Sequence, residues 1–186
     1  MDDLNRTSFE LFRTLAGRGA FVDGLIVFAA EYMPYLLLFG FAVFLVQLKG
    51  EWRVRLAALG ETMLTLIISR GVLTEAIRFV FPLGRPFTTL GITPLFVEST
   101  SAFPSGHAAF FFALAAAMWW QNRAWGWWFF ALALVNGAAR VAAGVHWPLD
   151  IVGGAFVGIG GALLAHGLVG KYIKELKEKA SPRLPA

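Results

Sequence analysis

Five stretches of this chain are apolar for long enough to consider crossing a bilayer. A spanning helix needs about 20 mostly apolar residues. The sequence offers Phe21–Gln47, Val54–Phe81, Ser105–Trp120, Ala124–Ala143 and Pro148–Val169. The third is the shortest and is expected to begin inside the protein rather than at the lipid surface. Composition points the same way, with 58% hydrophobic and 15% charged residues against about 25% charged in a soluble domain. So much apolar surface cannot be hidden in 186 soluble residues. The expected fold class is all-α, a polytopic membrane helix bundle with about five transmembrane helices, forming one domain over residues 1–186. Cysteine is absent, which removes disulfides, a thiolate nucleophile and Cys-ligated zinc.

Ahead of the spans, Leu4, Ser8, Leu11, Phe12 and Leu15 recur at helical spacing with Arg6, Glu10 and Arg13 between them. This predicts an N-terminal amphipathic helix over Leu4–Ala16, lying in the interface within residues 1–18. Residues 171–186 alternate Lys and Glu before Ser181-Pro182 and read as a basic cytosolic tail. No cleavable signal peptide is expected, since Asp2, Asp3 and Glu10 interrupt the start. The net charge of +4 reads as membrane orientation and contact with anionic membrane lipids, not nucleic acid. With five spans, nine Lys/Arg residues fall on one side (Lys49, Arg53, Arg55, Arg123, Lys171, Lys174, Lys177, Lys179, Arg183) and four on the other (Arg6, Arg13, Arg18, Arg85). The richer side should be cytoplasmic. The amino terminus, the loop Pro82–Pro104 and the turn Gly144–Trp147 then face outward. Trp119, Trp120, Trp125, Trp127 and Trp128 form an aromatic belt around the inner turn at Asn122.

Polar residues are the informative ones in so apolar a chain. They gather as Arg78 to Arg85-Pro86, Pro104-Ser105-Gly106-His107, and Arg140 with His146 and Asp150. The topology, worked out without them, places all three groups at the outer face. Three guanidiniums (Arg78, Arg85, Arg140) suit a highly charged tetrahedral anion. Ser105 is a good N-cap, and the N–H groups of Gly106 and His107 would then point from a helix N-terminus at an anion. Gly106 permits close backbone approach. Two histidines offer a nucleophile and a proton donor. Asp150 follows His146 by four residues, so it can hold one ring nitrogen and leave the other free to attack. No carboxylate cluster offers a magnesium cage, so no metal and no cofactor is expected. Arginines must then stabilise the charge.

Arg78-x6-Arg85-Pro86, Pro104-Ser105-Gly106-His107 and Arg140-x5-His146-x3-Asp150 together resemble the three-part signature of the type 2 phosphatidic acid phosphatase superfamily. The family usually has Lys where Arg78 stands and Ser where Ala139 stands. Arg keeps the charge, whereas Ala139 lacks one hydroxyl and its minor phosphate or packing contact. The resemblance implies that His146 attacks phosphorus and forms a phosphohistidine, and that Asp150 orients His146. It implies that His107 protonates the leaving oxygen and then activates water. Arg78, Arg85, Ser105, Gly106 and Arg140 would bind the phosphoryl oxygens, without a metal. The small size, with Leu11-Phe12-Arg13, Ala16-Gly17, Asp23 and Ala30-Glu31-Tyr32, is similar to the bacterial undecaprenyl-diphosphate phosphatases of the bacitracin-resistance type. This implies a polyprenyl diphosphate substrate in the bacterial plasma membrane, dephosphorylated on the extracytoplasmic face. Other lipid phosphates, a lipid carrier with a relic site, and a vanadate-dependent peroxidase are the competing readings.

Several residues invite plainer readings. Glu75 should pair with Arg78 along the helix. Arg70 and Glu31 sit inside spans and need polar partners. His166 has no companion motif and reads as structural. Gly154 and Gly158 suit close helix packing, and Phe110–Phe112 suit core or lipid contact. Nothing in the sequence sets an oligomeric state.

Overall fold

The computed structural model describes residues 3–48 and 52–180, and every regular element among them is a helix. Helix α1 spans Asp3–Arg13. Helix α2 runs Ala20–Gln47 and α3 runs Trp52–Val80. A short α4, Pro86–Leu90, lies in the following loop. Then come α5 (Gly106–Gln121), α6 (Arg123–Ala142) and α7 (Pro148–Ala180). Lys49, Ser181, Pro182 and Arg183 lie outside the described residues.

Local chemistry sets these boundaries. Ser105 caps α5, its Oγ accepting from the Ala108 N–H at 3.4 Å. Asn122 caps α6, its Oδ1 accepting from the N–H groups of Ala124 and Trp125 at 3.0 and 3.2 Å. Pro148 opens α7, where a fixed φ and a missing donor do no harm.

Helix α5 is the centre of the bundle and packs on α3, α6 and α7. It is buried almost all round, from Ala108 through Met118, which suits a short helix apolar on every face. Its seam with α7 is backbone to backbone. A Cβ on Gly154 would stand 2.5 Å from the Ser105 carbonyl oxygen, and one on Gly158 would stand 2.5 Å from that of Ala109. The glycine spacing thus serves close packing. Around the outside, Phe39, Phe79, Phe156 and Leu168 are exposed, whereas Glu61, Thr62, Thr65 and Asn136 are buried. That inversion of the soluble pattern suits a lipid solvent.

Among the described residues three helices are long and apolar enough to cross a membrane by length and composition: α2, α3 and the Pro148–Leu176 portion of α7. The other two expected spans correspond to α5 and α6, and α5 has only 16 residues. That measure bears out three of the expected spans and does not confirm the count of about five. Helix α1 forms, and Asn5 and Phe9 are the residues it turns to the protein. Asn5 and Phe9 are buried while Leu4, Leu11 and Leu15 stay exposed. Phe9 packs on Trp147, ring centroids 4.9 Å apart, and Asn5 Oδ1 accepts from the Leu149 N–H at 3.1 Å in the first turn of α7.

Both α2 and α3 contain a π-helical turn, at Phe28–Tyr32 and Ile67–Leu73. A π turn frees carbonyls from the regular ladder. In α2 these are put to use: Asn136 Nδ2 donates to the carbonyls of Ala29 and Ala30 at 2.7 and 3.0 Å, and Arg140 Nη1 donates to Ala30 at 3.0 Å.

Candidate active site

The three sequence groups meet at one end of the bundle. Arg78 stands in the last turn of α3, Ser105 and Gly106 open α5, Arg140 stands in the last turn of α6, and Asp150 in the first turn of α7. Arg85 and His146 come from the loops between.

Each arginine is buried and anchored by carbonyls, so its position is set before any ligand arrives. Arg85 donates from Nε to the Thr100 carbonyl and from Nη1 to the Val145 carbonyl, both at 2.8 Å. Arg78 donates from Nε to the Pro104 carbonyl at 3.2 Å and pairs with Glu75 at 3.3 Å, as the spacing predicts. Arg140 is held on the freed carbonyl of Ala30 and lies over the Phe96 ring, 5.6 Å from its centroid. Its Nε is buried and has no hydrogen-bond partner among the described residues.

His146 is equally directed. His146 is fully buried. Its Nδ1 lies 3.2 Å from Asp150 Oδ2, which also accepts from the Trp147 N–H at 2.8 Å. With the ring proton on Nδ1 facing the carboxylate, the Nε2 lone pair points to Arg85 Nη1 at 3.3 Å. Burial, and then the guanidiniums of Arg140 and Arg85, hold this imidazole well below the ordinary histidine range. It is therefore neutral at pH 7, as a nucleophile must be.

One residue at the centre went unread in the sequence. Glu98, in the loop before α5, bonds to Arg140 Nη2 and to Arg85 Nη2, the latter at 2.6 Å. Its two oxygens also lie 3.9 Å from His107 Nδ1 and from His146 Nε2. Burial alone would raise its pKa, but Arg140 and Arg85 outweigh burial and hold the carboxyl below its usual range. Two histidines and two guanidiniums thus converge on one anionic group. Glu98 carries no motif and sits in an irregular loop, so spacing gave no signal. Asn136 was also missed, although a lone amide one helical turn before Arg140 in an apolar helix was a readable sign.

A family model of the PAP2 superfamily matches residues 60–174. This chain belongs to the PAP2 superfamily. It is a phosphatase of that superfamily, and named relatives extend the match. It is 28% identical over 163 residues to the bacitracin transport permease protein BcrC of Bacillus licheniformis, covering 87% of this chain and 78% of the relative. It is 27% identical over 156 residues to the undecaprenyl-diphosphatase BcrC of Bacillus subtilis (strain 168), covering 82% of this chain and 79% of the relative. The crystal structure of Aquifex aeolicus LpxE matches with a TM-score of 0.71 at 24% identity, covering 89% of this chain and 96% of that one. At that identity the likeness speaks for the PAP2 fold alone.

Proposed function

We propose that this PAP2 protein hydrolyses a polyprenyl diphosphate, undecaprenyl diphosphate, to the monophosphate through a phosphohistidine on His146. The observation that carries this reading is the Glu98 carboxylate, held by Arg85 and Arg140 and 3.9 Å from both imidazoles. A carboxylate there stands in for two phosphoryl oxygens. The terminal phosphate of the substrate displaces it, and the forks of Arg85 and Arg140 pass to the phosphate with Arg78 and the N–H groups at the Ser105-Gly106 end of α5.

The neutral His146 Nε2 attacks the terminal phosphorus while Asp150 holds Nδ1–H. The bond from phosphorus to the bridging oxygen breaks, and its electron pair leaves with the lipid phosphate, which takes a proton from His107. Water then attacks the phosphohistidine, giving a proton back to His107. The P–N bond breaks, releasing inorganic phosphate and restoring His146. The arginines neutralise charge on the equatorial oxygens, so the reaction needs no metal and EDTA should not affect it.

The likeness to the undecaprenyl-diphosphatase of Bacillus subtilis supports the diphosphate substrate. In this reading α5 and α6 complete five spans, the site opens to the extracytoplasmic face of a bacterial plasma membrane, and residues 171–186 are cytosolic. Helix α1 lies in the outer interface, and residues 1–186 act as one domain.

The test is phosphate release by purified protein on undecaprenyl diphosphate, phosphatidylglycerol phosphate, phosphatidate and lipid A, each also with His146→Ala. Release from the diphosphate that disappears in the variant is expected. Preference for another lipid phosphate would change the substrate and keep the mechanism. Release that survives His146→Ala would remove the nucleophile.

A further inference from the structure

Beside His107 lies a cavity of about 310 Å³. Glu31, Tyr35, Arg70, Arg78, His107 and Phe110 line it. On α2 and α5 the lining runs from the catalytic end inward, Glu31 then Tyr35 and His107 then Phe110, while Arg78 and Arg70 enter it from α3. The cavity therefore descends from the proton donor toward the apolar middle of the bundle, in the direction a lipid tail must take.

Arg70 is not part of the three-group signature. It sits in the π turn of α3, eight residues before Arg78. That separation is about 12 Å of helix axis, yet both guanidiniums reach the same place. A Cβ on Gly106 would stand 2.7 Å from Arg70 Nε and 3.1 Å from Arg78 Nη2. The missing side chain of Gly106 is what admits them together. Glu75 joins the two, bonding to Nη1 of each. Among the described residues nothing accepts a hydrogen bond from Arg70 Nε or Nη2. Two like charges have been brought together, and one of them retains unused donors beside a cavity.

Resting on the reading above, the leaving group explains the arrangement. In-line attack by His146 expels the leaving oxygen on the far side of phosphorus, and His107, which approaches the other oxygen of Glu98, is the histidine assigned to receive it. From a diphosphate, that oxygen departs on a second phosphate that stays with the lipid and carries its own charge. From a monophosphate, it departs on a neutral lipid alcohol. We propose that Arg70 is the clamp for the retained phosphate, and that it selects diphosphate lipids over monophosphate lipids at this site. Glu31 in the same lining cannot donate to a phosphate, and Glu75 takes only Nη1 of each arginine, which leaves Arg70 Nε and Nη2 as the donors that discriminate.

The experiment compares farnesyl diphosphate with farnesyl monophosphate, two substrates of one tail, on wild type, Arg70→Ala and Arg70→Lys in detergent. A charge-assisted phosphate contact is worth enough that its loss should lower the ratio of kcat/KM, diphosphate over monophosphate, about tenfold in Arg70→Ala. Arg70→Lys should restore part of that ratio, since it keeps the charge and loses the fork. An unchanged ratio in both variants overturns the assignment. Turnover of the monophosphate certifies that each variant folds, and if Arg70→Ala does not fold, the ratio in Arg70→Lys decides. A wild type that hydrolyses the monophosphate but not the diphosphate would instead overturn the substrate reading, and this assignment with it.

Discussion

Among the described residues two histidines lie within hydrogen-bond distance of a carboxylate, and only one of these pairs sits in a place that can do phosphate chemistry. His146 pairs with Asp150 at 3.2 Å at the end where Arg78, Arg85 and Arg140 converge. His166 pairs with buried Glu61 at 2.6 Å elsewhere along α7 and α3. The second ring lies flat on Trp120, with centroids 4.3 Å apart and planes within 2°, and Gly170 abuts it so closely that a Cβ there would stand 2.8 Å from the ring. Glu61 also accepts from the Gln121 side-chain amide. The two pairs share their chemistry and differ in their neighbours. Around His146 the second ring nitrogen faces Arg85 and the Glu98 carboxylate. Around His166 the faces of the ring meet indole and helix backbone. A proton-accepting pair becomes a candidate nucleophile through the guanidiniums that surround it.

That contrast can be broken most severely at His146, the proposed nucleophile. His146→Ala should lower phosphate release from the lipid diphosphate about 10⁴-fold or more, measured with enough enzyme to detect single turnovers. Arg140→Ala comes next. Losing one preset donor to the transferring group should reduce kcat about 10²–10³-fold, and Arg140→Lys, assayed for folding by its melting profile, should recover only part of it.

His107→Ala sharpens the comparison by substrate. A proton donor contributes about 10²-fold or more on a poor leaving group, so the lipid diphosphate should suffer most and p-nitrophenyl phosphate, whose leaving group needs no proton, much less. Equal losses on both would give His107 a different task. Glu98→Gln should act in the opposite sense. With the internal anion neutralised, phosphate has less to displace, and KM should fall roughly tenfold if the blocked form predominates. A KM that rises instead would make Glu98 part of the binding surface.

The mildest prediction concerns the other pair. His166→Ala should leave kcat/KM within about twofold while lowering stability by about 1–3 kcal/mol, because the buried Glu61 loses a partner. A loss of turnover comparable to that of His146→Ala would erase the distinction between the two pairs.

The legible part of this protein was the part that local rules govern. Ser105 announced a cap, Pro148 a helix start, and the Arg–His–Asp spacing put Asp150 under His146. The short third segment was read as buried at its start, and α5 proves to be the central helix. What stayed hidden depends on tertiary choices. Glu98 reaches the site along an irregular loop that has no periodicity to read. The periodicity of α1 showed an amphipathic helix but not that Phe9 would dock on Trp147, a contact made far away in the chain. Arg70 was expected to need a polar partner inside its span, but nothing in the sequence named Glu75 as that partner or showed that a missing side chain at Gly106 would admit it beside Arg78.

The wider turn at Phe28–Tyr32 holds one residue more than an α-helix would use there. Excising a single residue from it would let the ladder close into regular register and swing everything before it about 100° around the axis. Ala29 and Ala30 would then reclaim their own carbonyls, and Asn136 and Arg140 would lose the acceptors that seat them. One surplus amino acid, in a segment that touches none of the reacting atoms, thus sets the bearing of the deepest cation in the pocket.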